Sequence, residues 1–111
     1  MDEAQFIYEV TVNVVAGDGA RAITFMKEEH IPEVLKHPAF IRAEFYPEVE
    51  ATEGTFSFTT HYYVRNSPLF EQYIQTYAKE MREHFLDQFA SSSPTVERRL
   101  LKIPRTFKSL S

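Results

Sequence analysis

The sequence predicts an α+β sandwich of element order β-α-β-β-α-β, with a four-stranded antiparallel sheet carrying two helices on one face. Three observations predict it. The apolar period switches between two and about 3.6 along the chain. Turn and cap signals fall where it switches. No low-complexity tract, linker or repeat period interrupts the pattern.

Phe6, Tyr8, Val10, Val12 and Val14 alternate with Ile7, Glu9, Thr11, Asn13 and Val15, the period of a strand. Gly17-Asp18-Gly19 breaks it. From Ala20 the spacing changes: Ile23, Met26, His30 and Val34 share one helical face. Pro32 lacks an N–H and disfavours a helical predecessor, so a kink or break is expected there, with Pro32–Lys36 as a short second piece.

Residues 40–49 read as a second strand, with Ile41, Ala43 and Phe45 on one side and Arg42, Glu44 and Tyr46 on the other. Pro47 marks an edge or a bulge near its end. Residues 55–65 are a third strand, in which Phe56, Phe58, Thr60, Tyr62 and Val64 alternate with Ser57, Thr59, His61, Tyr63 and Arg65. The short acidic link between them predicts an antiparallel hairpin.

Asn66-Ser67-Pro68 is a helix start, a capping side chain followed by proline in the first turn. One long helix should follow, striped by Phe70, Tyr73 or Ile74, Tyr77, Met81, Phe85 and Phe89. Residues 90–94 are a loop and 95–103 a fourth strand, its phase blurred by Leu100-Leu101. Pro104 stops it. Right-handed crossovers assemble this order into a ferredoxin-like βαββαβ sandwich. One domain over residues 1–111 is expected, with its core at about 6–103 and a tail at 104–111.

Composition narrows the class. The chain has 111 residues, 43% apolar and 25% charged, which is globular. A net charge of −4 disfavours a nucleic-acid binder. The absence of cysteine removes disulfides, thiolate nucleophiles and cysteine metal sites. No apolar run is long enough to span a membrane. The acidic opening Met1-Asp2-Glu3 is not that of a secretory signal, so a cytoplasmic location is the default expectation.

Helices on one side leave the other face of the sheet uncovered. It carries Ile7, Glu9, Thr11, Asn13, Val15, Arg42, Glu44, Tyr46, Thr59, His61, Tyr63 and Arg65. Such a face can meet water or a second copy of itself about a two-fold axis. Unpaired buried charge is costly, which favours a pairing that retains polar cavities.

The run Met26-Lys27-Glu28-Glu29-His30-Ile31-Pro32-Glu33-Val34-Leu35, with the strand Tyr8–Val14 before it, resembles an uncharacterised bacterial family of the dimeric α/β-barrel superfamily. The likeness extends more loosely through Tyr62, Tyr73, Arg82 and the last strand, over most of residues 6–103. It implies a homodimer of two ferredoxin-like protomers packed sheet to sheet, with a cavity. It implies no activity, because the family has none assigned. Wider relatives include cofactor-free monooxygenases, haem-degrading enzymes, dehydratases, lyases and ligand sensors, and fold alone does not choose among them.

His30 is the leading site candidate. It is in phase with Ile23 and Met26, points toward the sheet, and can serve as acid, base or ligand. The plain alternative is a histidine that satisfies a carbonyl freed at Pro32. Arg42, Tyr46, His61 and Tyr63 on the uncovered face form a second candidate group, a polar pocket for an anionic or phenolic ligand. Their plain alternative is cross-strand pairing. His84 has no partner by spacing. The Arg98-Arg99 pair reads as a solvated basic end or, more sharply, as a phosphate or partner contact. Glu29, His30 and Glu33 lack metal-ligand spacing, and neither a nucleotide loop nor a nucleophile elbow is present.

The expected function is therefore a homodimeric small-molecule-binding domain with a pocket near His30, without cofactor or metal. The alternative is a cofactor-independent monooxygenase- or lyase-like enzyme using His30 as acid/base. A purely structural pairing domain is the third possibility.

Overall fold

The computed structural model describes residues 3–110; Met1-Asp2 of the acidic opening and Ser111 of the tail lie outside them. Strands β1 (Phe6–Val15), β2 (Phe40–Pro47), β3 (Thr55–Val64) and β4 (Thr95–Lys102) form one antiparallel sheet of order β2-β3-β1-β4. Helices α1 (Gly19–Phe25) and α2 (Ile31–Val34) follow β1, and α3 (Ser67–Thr76) and α4 (Ala78–Phe89) follow β3. The helical layer covers one face, giving the ferredoxin-like sandwich.

Two apolar clusters fill the space between sheet and helices. One joins Val12, Val14, Phe56 and Phe58 of the sheet to Ala22, Phe25, Met26, Phe85 and Phe89. The other joins Tyr8, Phe40, Tyr62 and Val64 to Val34, Tyr73 and Met81. The alternation read from β1 and β3 selects these inward residues correctly. Asn66 caps α3 as expected, its side chain accepting from the Leu69 N–H at 2.9 Å.

The structure departs from the sequence pattern at four places, each for a local reason. The chain does not break at Pro32. Residues 26–30 instead form a π-helical turn between α1 and α2, and the Ile31 N–H reaches back five residues to the Met26 carbonyl. The widened turn keeps the helix continuous where proline offers no donor. In β2 the register slips between Phe40 and Arg42. Ile41 is therefore a bulged, half-buried residue rather than an inward one, and Phe40 takes the core position. The long second helix is interrupted at Tyr77 (φ −131°, ψ −27°). Just before it, the Thr76 hydroxyl donates to the Gln72 carbonyl at 2.6 Å, a back-bond that competes with the helical ladder and bends it. In β4, Val96, Arg98 and Leu100 stand opposite Val12, Val10 and Tyr8, so Arg98 belongs to the helix-facing side. Leu100 is 55% exposed and Arg98 is exposed, because the helices stop short of this edge.

Two glycines are positional. Gly54 has φ +79° in the β2–β3 turn, a conformation side chains rarely adopt. At Gly19 a Cβ would lie 2.9 Å from Phe56 Cγ. Alanine ordinarily stabilises a helix relative to glycine. Here Gly19→Ala is expected to destabilise by about 1–3 kcal/mol through overpacking, measured by urea unfolding; a gain in stability would contradict the close approach.

Candidate functional site

The π-turn sets the site. It carries His30 at its end, on the helix wall nearest α4. Its ring lies 6.0 Å from Phe25, 5.9 Å from Phe85 and 5.4 Å from His84, stacked on the last. His30 Nδ1 is 3.2 Å from His84 Nδ1. For this contact one Nδ1 must carry a proton and the other must not. Burial, with repulsion from His84, pushes the His30 pKa down from 6.5 to about 4. The imidazole is therefore neutral at pH 7. Its Nε2 makes no hydrogen bond to another described residue.

Beside this pair lies a cavity of about 210 Å³ between the sheet and the helices. His30, Met26 and Val34 line it from the first helical segment, and Tyr73, Met81 and Phe85 from the second. Tyr8, Val10, Thr60 and Tyr62 form its sheet floor, and Arg82 and Arg98 line it at the open β4 edge. Burial raises the pKa of Tyr8, Tyr62 and Tyr73, so all three phenols stay protonated at neutral pH. The Arg98 charge partly offsets that rise at Tyr8.

The other predicted residues stand on the opposite side of the sheet. The Arg42 guanidinium donates to Glu44 at 3.1 Å and lies 3.6 Å over the Tyr63 ring. The Tyr46 and Tyr63 hydroxyls each donate to Glu44 Oε1 at 2.9 Å. These hydrogen bonds hold the Glu44 carboxyl below its usual pKa. His61 Nε2 lies 2.8 Å from Glu9, which also accepts from Arg99. The Glu9 pKa is lowered, chiefly by the Arg99 bond. Arg42, Tyr46, His61 and Tyr63 thus direct polar contacts at Glu44 and Glu9, and the sheet separates them from His30. They do not join His30 in one pocket.

Sequence reasoning passed over three groups here. His84 is 54 residues from its partner, so spacing gives no signal for it. Arg82 entered only through the family likeness, and Arg98 was grouped with Arg99, although strand alternation puts the two on opposite faces. Glu9 and Glu44 are the hubs of the outer face, yet a carboxylate in a strand carries no mark of its role. Among the described residues no cluster of three or more His, Cys, Asp or Glu is placed to hold a metal. Among them, too, no helix is long and apolar enough to cross a membrane.

A depressed histidine pKa has a definite sign. Between about pH 4 and 6.5 the unfolded chain binds the proton that folded His30 refuses, so stability falls as pH drops through that window. From pH 7 to 4.5 the His30 share is about 2–3 kcal/mol. Urea unfolding at both pH values should show the His30→Gln variant losing less stability than the parent by about that amount. Equal losses would contradict a buried neutral imidazole.

Comparison with known proteins agrees with this architecture. No curated protein matches the chain in sequence. Among solved structures, an ethyl tert-butyl ether degradation (EthD) family protein from Bacillus halodurans superposes with a TM-score of 0.65 at 12% identity, covering 89% of this chain and 99% of that one. SnoaB, a cofactor-independent oxygenase from Streptomyces nogalater, gives 0.63 at 16% identity, over 96% and 100%. A dimeric ferredoxin-like protein from an uncultured marine organism gives 0.60 at 17% identity, over 93% and 100%. These likenesses establish the fold. A family model, the domain of unknown function DUF4286, matches residues 5–103, and the chain, with its ferredoxin-like fold, belongs to that family.

Proposed function

We propose that this protein is a homodimeric small-molecule-binding domain whose ligand occupies the cavity between sheet and helices, against His30. The observation that carries the reading is the cavity itself. About 210 Å³ of space in a core otherwise filled by aromatic side chains is more than the ~150 Å³ that admits benzene in an engineered protein core. Mixed apolar walls with a few converging polar groups are the usual form of a ligand pocket. A neutral imidazole with an uncommitted Nε2 supplies a directional hydrogen-bonding group.

The homodimer rests on the uncovered face. The charged side chains there are already paired within the chain. A face whose charges are already satisfied packs against a copy of itself at lower desolvation cost. Dimeric ferredoxin-like relatives support the same arrangement. Sedimentation should give twice the chain mass, and Thr59→Arg, placed where Thr11 and Thr59 share a hydrogen bond of 2.9 Å, should give the single mass. A parent protein that sediments as a monomer would overturn the dimer.

One observation favours a second reading. His30 is unprotonated at neutral pH and lines the cavity, as a general base must, and one structural neighbour is a cofactor-independent oxygenase. Under it, His30 takes a proton from a bound phenol or enol. Two measurements separate the readings. In a thermal-shift screen of small aromatic compounds, binding predicts a rise in melting temperature that His30→Ala abolishes; a parent that no compound stabilises would contradict it. Oxygen uptake or product formation with phenolic, quinol or enol substrates, lost in His30→Ala, would replace the binding reading with the enzymatic one.

A further inference from the structure

The cavity's charge is one-sided. Lys79 and Arg82 of α4 and Arg98 of β4 line it, and no Asp or Glu does. Among the described residues neither guanidinium forms an ion pair with a carboxylate. The acids of the same helix lie elsewhere: Glu80, Glu83 and Asp87 line a separate groove with His84. Glu97 stands opposite Thr11, on the other face of the sheet. In a chain of net charge −4, two arginines converging without an acid form a local positive field at a cavity mouth, and such a field steers and holds anions.

The two arginines also share targets. The charges of both are felt by the Tyr8 phenol of the sheet floor and the Tyr73 phenol of the helical wall. The apolar walls mix aliphatic side chains with rings and thioethers, among them Tyr62, Phe85, Met26 and Met81. Flat rings and polarisable sulfur suit an aromatic body. The planar guanidinium fork suits a carboxylate.

We infer that the ligand of this cavity is a small aromatic anion, an aryl carboxylate or its equivalent, whose charge is met by Arg82 and Arg98 while its ring lies between Tyr62, Phe85 and the two methionines. The inference rests on the small-molecule reading above and adds the ligand's chemical class. A carboxylate at this position replaces water on two exposed cations. The ring fills space that the core leaves open.

Calorimetric titration with 2-naphthoate and its neutral counterpart 2-naphthamide tests it. The parent should bind the acid about tenfold or more tightly than the amide, with affinity falling as salt rises. Arg98→Gln and Arg82→Gln should each collapse that ratio toward one while amide binding persists. Lys108→Gln, which removes a tail cation, should leave the ratio unchanged. Equal binding of acid and amide by the parent would overturn anion recognition and leave the small-molecule reading intact, as would a ratio that Lys108→Gln reduces equally. If neither probe binds at millimolar concentration, the aromatic-anion inference fails, and the thermal-shift screen alone then decides the broader reading.

Discussion

The missing N–H of Pro32 governs the site. An α-helix crossing that position would leave a carbonyl one turn back without its donor and would press the proline ring into the preceding turn. The chain relieves this by widening one turn at residues 26–30. The widened turn ends at His30, and the ring there lies within contact of Phe25, Phe85 and His84. Burial then fixes the chemistry. An imidazole enclosed by phenylalanines and a second imidazole is held neutral, and the contact with His84 settles which nitrogen is committed.

The two faces of the sheet solve different problems. On the helix side, large aromatics fill most of the volume, but the helical layer ends before β4, and the cavity opens where it ends. On the other side, Glu9 and Glu44 gather nearby donors into closed networks. Two stacked layers need a filled interior and an outer surface without stranded charge. The first requirement is relaxed at one edge, and the second is met across the outer face. In the proposed function, that division assigns ligand chemistry to the inner side of the sheet and association to the outer.

Much of this was legible in the chain. The alternation of Phe6 to Val14 and of Phe56 to Val64 marks the inward faces, and Asn66-Ser67-Pro68 marks a helix start, because these signals are local. The bulge at Ile41 was not legible: a single inserted residue changes register without changing composition. Nor was the break at Tyr77, which follows from a side-chain hydrogen bond rather than from a glycine or proline. His30 could be singled out by helical phase beside Pro32. Its partner His84 could not, because the contact spans two helical segments. Arg98 is the instructive case. Period-two alternation separates it from Arg99, yet two adjacent basic residues invite a reading as one solvated patch.

The most direct measurement is long-range nitrogen NMR of the histidine side chains at pH 7. It reports the protonation of each ring nitrogen. If His30 and His84 make the contact described, the His30 ring will be neutral and only one of the two Nδ1 atoms will carry a proton. Identical tautomers, or an imidazolium at His30, would contradict the pair and with it the origin of the neutral group in the cavity wall.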